Sequence, residues 1–250
     1  MPLIDVNDPI HLGIRCNAEP DGHPSTRNAI SLTYARTHVM PILRERWAWL
    51  APLLGLTATS SVCIVGAGYG YSLEILEERG ITRTIGTEPS AGLRAKMAVS
   101  EDGDIQAEIE SVGLTVTSGD GLAAFNRLRD RPALPRAKRA ADVLNEDMAT
   151  AASRNRVRQA LQGKGGSSWD VITENVLTVL SDAECTALSN AARQLNGIAR
   201  LIHLVSTRLF DADGTTHPGQ NAIYNWKTLQ QWKALIPADT FVSIYTRALL

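Results

Sequence analysis

Residues 61–70 constrain the fold more than any other stretch of this chain. Ser61-Val62-Cys63-Ile64-Val65 is short, apolar and rich in β-branched residues, and it runs straight into Gly66-Ala67-Gly68-Tyr69-Gly70. An apolar run of this length that stops at glycine predicts a strand covered on both faces, as the strands of parallel sheets are. Helical text follows over 72–79. Leu73 and Leu76 lie three apart with Ile75 beside them, leaving Glu74, Glu77, Glu78 and Arg79 to face water. Gly80 then closes the helix. The glycines let a ligand come close to the backbone and adopt positive φ at low cost, and the first N–H groups of the helix favour an anionic group.

The same alternation continues along the chain. Thr82–Gly86 reads as a second strand, Leu114–Thr117 as a third, Asp170–Thr173 as a fourth and Arg200–Val205 as a fifth. Helical text covers 89–100, parts of 122–162 and 182–195, and the C-terminal part carries a helix near 225–235 and a strand near 240–245. Strand and helix in turn at this spacing predict an α/β, doubly wound, mostly parallel sheet with right-handed crossovers and helices on both faces. Upstream, Val39, Ile42, Leu43, Trp47, Leu50 and Leu54 recur at helical spacing with Arg44, Glu45 and Arg46 between them. Pro41 and Pro52 make two helices there as acceptable as one. Residues 1–30 read as an irregular N-terminal arm, and 31–250 as a single domain with an insertion at about 125–166.

Glu88 stands at the end of the second strand, twenty-two residues after Gly66, where a carboxylate can accept the hydroxyl hydrogens of a ribose. The dinucleotide fingerprint G-x-G-x-x-G needs its third glycine at position 71, and that residue is Tyr71. The third glycine is at 70. With Gly66-x-Gly68-x-Gly70 after an apolar strand, the segment resembles motif I of the class I methyltransferases that use S-adenosylmethionine (SAM). Across about residues 58–206 the resemblance implies a Rossmann-like fold. It implies a loop of Gly66, Ala67, Gly68 and Gly70, with Glu88-Pro89 at the ribose. It also implies Asp120-Gly121, within Ser118-Gly119-Asp120-Gly121, near the adenine amino group, and Glu174-Asn175 after the fourth strand on the cofactor side of the cleft.

The sulfonium of SAM carries an already activated methyl group, so transfer needs mainly a positioned acceptor. A base is needed only when the acceptor must lose a proton. His38 and His217 are the candidate bases, each also readable as a solvated or structural residue, and His203 inside the fifth strand reads as packed core. Cys63 inside the first strand reads as a small buried hydrophobe. Thr173-Glu174-Asn175-Val176 lacks the Asn/Asp-Pro-Pro-aromatic signature of methylation at exocyclic base amines. The absence of a Pro-Cys pair argues against a cysteine nucleophile for cytosine C5 methylation. An O or N atom of a small molecule is the expected acceptor.

Two departures from the family pattern stand out. Fifty residues separate Asp120 from Asp170, and the stretch 127–164 holds ten Lys or Arg against four Asp or Glu, which reads as an extra basic helical segment between strands three and four. Arg154, Arg156 and Arg158 alternate there; a solvated helix face is one meaning and a phosphate grip for RNA or DNA the other, though without interleaved aromatics. The sheet of the family ends in an antiparallel hairpin, whereas only 240–245 is a clear strand here, with 207–216 as a source of another. A SAM-binding module without catalysis is the non-enzyme alternative, and an NAD(P)-dependent oxidoreductase the poorer enzyme alternative because of Tyr71.

Bulk properties fit this reading. The 250 residues are 44% hydrophobic with net charge −1, so no global charge draws the chain to nucleic acid or membrane. Cys16, Cys63 and Cys185 fall in no metal-ligand spacing, and the N-terminal text is not a signal peptide, so the expectation is a cytoplasmic protein with no structural metal and no membrane span.

Overall fold

A computed structural model describes residues 40–91, 101–111, 113–129, 140–174, 176–177, 180–205 and 227–243. The elements in chain order are α1 (Met40–Leu53), β1 (Ser61–Val65), α2 (Tyr71–Glu78), β2 (Arg83–Thr87), α3 (Glu101–Ser111), α4 (Gly119–Arg129), β3 (Val143–Leu144), α5 (Ala151–Gly163), β4 (Trp169–Glu174), α6 (Asp182–Arg193), β5 (Ile198–Val205), α7 (Leu229–Leu235) and β6 (Thr240–Ser243). The six strands form one sheet in the order β3-β2-β1-β4-β5-β6, and every pairing is parallel.

Side chains alternate across each strand, and the core divides accordingly. Val62 and Ile64 of β1 share a buried cluster with Leu43, Trp47 and Leu50 of α1 and with Leu73 and Leu76 of α2. Cys63 and Val65 instead join Val157 and Leu161 of α5 and Ala191 and Ala192 of α6. Burial on both faces explains why the sequence of β1 is apolar without a break.

Helix α1 is one helix, where the two prolines allowed a break. Pro41 sits in the first turn, where its missing N–H has no partner to lose. Pro52 sits in the last turn, and the Ala48 carbonyl that it leaves without a helical donor accepts from Arg79 Nη2 at 3.4 Å. Helices α6 and α7 start with capping boxes, Ser181 with Glu184 and Thr228 with Gln231, which fix their entry from the preceding turns.

Several expectations need correction. Leu114–Thr117 is a turn rather than the third strand: Thr117 N–H donates to Thr115 Oγ1 at 3.2 Å. Leu114 and Val116 pack against Ile105 and Ile109 of α3 and Ala124 and Phe125 of α4, so burial against a helix pair overrides the strand propensity. The third strand is the two-residue β3, too short to stand out by periodicity. The extra segment is therefore misplaced as well. From β3 to β4 the chain makes an ordinary crossover through α5 alone, and the added length, with α3 and α4, lies between β2 and β3. At the other edge β6 runs parallel to β5, a further departure from the family's antiparallel hairpin; residues 207–216 lie outside the described residues. Glu74 does not face water but is wholly buried, because α2 is covered by α1 as well as by the sheet.

Candidate functional site

The strand order reverses between β1 and β4, and the carboxyl ends of these two strands frame the crevice where open α/β sheets bind ligands. Their register pairs Val65 with Thr173, which sets Gly66 beside Glu174. The loop 66–70 rests on β2: the N–H groups of Gly66 and Ala67 both donate to Thr87 O, at 3.0 and 2.9 Å.

Two glycines of this loop are required for different reasons. Gly66 has φ +73° and packs so closely under Val176 that an added Cβ would lie 2.8 Å from the valine Cβ. Its small size serves packing inside the protein. Gly68 has φ +55° and open space where a side chain would be, so it presents bare backbone outward. Gly70, φ +73°, then starts α2 with no side-chain cap. The first N–H groups of a helix need partners from outside it.

Glu88 lies just past β2 and closes on this loop. Its Oε2 accepts from Gly68 N–H at 3.0 Å and its Oε1 from Ser90 N–H at 2.9 Å, with the residue 1% exposed. Pro89 between them is half-buried. These two backbone bonds turn the Glu88 carboxylate toward the glycine loop.

Glu174 belongs to a buried chain of polar contacts. Its Oε1 accepts from Arg46 Nη1 at 3.0 Å, its Oε2 accepts from the Ser72 hydroxyl, and Ser72 Oγ accepts from Trp47 Nε1 at 3.1 Å. Arg46, Trp47, Ser72 and Glu174 are all buried. Arg46 reads at first as one of the charges between apolar positions, yet Leu43, Arg46, Trp47 and Leu50 follow the i, i+3, i+4, i+7 rule, so the spacing itself places Arg46 on the buried stripe.

Asp120 and Gly121 are not brought to this site. They open α4, which packs on α3, and Asp120 is exposed. A Cβ on Gly121 would overlap Thr115 O, which accounts for that glycine by packing. The turn that does follow the third strand is Asn145-Glu146-Asp147. It is held firmly: Glu146 N–H donates to Leu144 O at 2.9 Å, Glu146 pairs with Arg156, and buried Met148 takes φ +67°. The Arg156 hydrogen bond holds the Glu146 carboxyl below the usual carboxylate range. Arg154 donates to Met148 O and Ala149 O, both at 2.9 Å, and to Gln194 Oε1 at 2.8 Å. These two arginines of the basic segment thus bind their own chain. His38, Asn175 and His217 lie outside the described residues.

No family model, curated protein or solved structure matches this chain.

His203 is core, as its strand position suggests, and fully buried. Ser189 Oγ donates to Pro237 O at 2.9 Å, so it accepts from His203 Nε2–H at 3.1 Å, and Nδ1 then accepts from the Thr173 hydroxyl at 2.8 Å. Burial pushes this imidazole down to about 4. The unfolded chain takes up the proton near pH 6.5 and the folded chain only near 4, so stability is complete above pH 6.5 and declines as pH falls through that window. We expect a loss of about 3 kcal/mol by pH 4 from this residue in urea unfolding, and a flatter profile in His203→Asn. An unchanged profile in the variant would show that His203 does not set it.

Cys63 is also buried, which pushes its thiol up to about 12 and suits a small core hydrophobe. Trp232 of α7 is fully buried in a core cluster with Leu177, Cys185 and Val205. Among the described residues no helix is long and apolar enough to cross a membrane, and no group of three His, Cys, Asp or Glu is placed to hold a metal ion.

Proposed function

We propose that this chain is a SAM-dependent methyltransferase that transfers the methyl group to an O or N atom of a small-molecule acceptor, on a doubly wound Rossmann-like framework. One observation carries the choice of cofactor: the glycine loop is surrounded by carboxylates. Glu88 is hydrogen-bonded to the loop through Gly68 N–H, and Glu174, paired with Arg46, stands beside Gly66. Two like charges about 4 Å apart near a protein surface repel by about 4 kcal/mol. A pyrophosphate would bring two negative charges to such a loop. SAM brings a sulfonium and an ammonium.

In this proposal Gly68 lets the cofactor meet the backbone and Glu88 takes the ribose hydroxyls. Asn145 and Asp147, in place of Asp120, stand after the third strand where the adenine amino group would lie. The chain holds the sulfonium and the acceptor in line, and the acceptor side decides whether a proton must be removed. The small-molecule acceptor is favoured over nucleic acid because Arg154 and Arg156 are engaged within the protein.

A dinucleotide-dependent oxidoreductase is the second reading, because the all-parallel order β3-β2-β1-β4-β5-β6 is that of dinucleotide-binding sheets. Buried Tyr71 opposes it, filling the place of that fingerprint's last glycine. Titration calorimetry with SAM, its demethylated product and NAD separates the two. We expect heat from the first two ligands only; binding of NAD alone would reverse the assignment, and silence with all three would remove both.

A further inference from the structure

We propose that Arg46 receives the carboxylate of the amino-acid end of the ligand, and that Glu174, Ser72 and Trp47 are the positioning residues that hold its guanidinium for that task; this rests on the SAM reading above. The side chain of Arg46 is only 9% exposed, yet among the described residues its guanidinium makes one hydrogen bond, from Nη1 to Glu174. A guanidinium has five N–H donors in a planar fork, and no nitrogen of Arg46 is among the buried polar atoms left without a partner, so its unused donors stay accessible to a ligand. The group that completes such a fork best is a second carboxylate, bound bidentately.

The surroundings favour the same ligand. Glu174 is fixed by Ser72 and Ser72 by Trp47, so the fork is anchored from both α1 and α2 before any ligand arrives. Ser72 is the second residue of α2, whose uncapped N-terminal turn adds a positive partial charge at the same point. Glu174 and Arg46 together can meet a zwitterion, the carboxylate facing the guanidinium and the ammonium facing the carboxylates. A ligand that carries an adenosine but no amino acid gains nothing from this pair.

Calorimetry on the full chain should compare S-adenosylhomocysteine, which carries the amino-acid carboxylate, with methylthioadenosine, which lacks it. The double variant Arg46→Met/Glu174→Gln removes both charges, so that no buried carboxylate is stranded, and a thermal melt checks that it folds. We expect it to bind S-adenosylhomocysteine roughly tenfold to a hundredfold more weakly, the loss of a charge-assisted hydrogen bond, with methylthioadenosine unaffected. If the double variant does not fold, Arg46→Lys keeps the charge without the fork and should give a smaller loss, again for S-adenosylhomocysteine alone. Equal losses for both ligands, or none, would overturn the role of Arg46 while leaving the cofactor assignment standing. A wild-type chain that binds neither compound would overturn both.

Discussion

Gly66→Ala should destabilise the chain by about 2–5 kcal/mol, whereas Gly68→Ala should cost about 1–2 kcal/mol and act on binding instead. Both positions have positive φ, at +73° and +55°, and an alanine forced there costs about 1–2 kcal/mol. Only Gly66 has a neighbour in the way: Val176 Cβ lies 2.8 Å from the new methyl, and overpacking adds about 1–3 kcal/mol. Above Gly68 there is space, so its methyl projects to where the backbone is offered to a ligand. We expect Gly68→Ala to weaken SAM binding roughly tenfold, the effect of about 1.4 kcal/mol of lost approach. Urea unfolding and calorimetry on the two variants test the division. Equal destabilisation by both would mean that Val176 yields and that the loop does not separate packing from binding.

The second large effect is the loss of the Arg46–Glu174 pair. Arg46→Met leaves Glu174 buried with only the Ser72 hydroxyl among its described partners, and breaking a buried ion pair in this way costs about 3–5 kcal/mol. Replacing both residues, as in Arg46→Met/Glu174→Met, removes the stranded charge and should recover most of that loss. The four chains form a double-mutant cycle, in which a large coupling energy is the expected result. Additive losses would show that the two residues stabilise the fold separately. Because α1 precedes β1 in the chain and Glu174 ends β4, the pair ties sequence-distant elements together at the crevice, which is why one substitution there has so wide an effect.

Much of the fold was legible because its signals are local. An apolar, β-branched run is buried wherever a parallel sheet places it, so β1, β4 and β5 stand out in the sequence. The capping residues of α6 are equally local. β3 was not legible: two residues have no period, while Leu114–Thr117 carries strand-like text that two helices bury as a turn. Asp120 was attached to the wrong strand for that reason. Glu74 shows the same limit in a helix, since a position that faces water on a helix packed from one side is buried once α1 covers the other.

By itself the sequence determined a parallel α/β sheet, the strand–glycine–helix turn at 66–70 and a carboxylate at the end of the next strand. These follow from burial period and backbone freedom, which neighbouring residues decide. Tertiary structure alone decided that Glu88 closes on Gly68, that Gly66 is small for the sake of Val176 and that β6 runs parallel to β5. It alone brought Arg46 across to Glu174. Those contacts join residues from 20 to 128 positions apart, and only the packing of one element on another sets them.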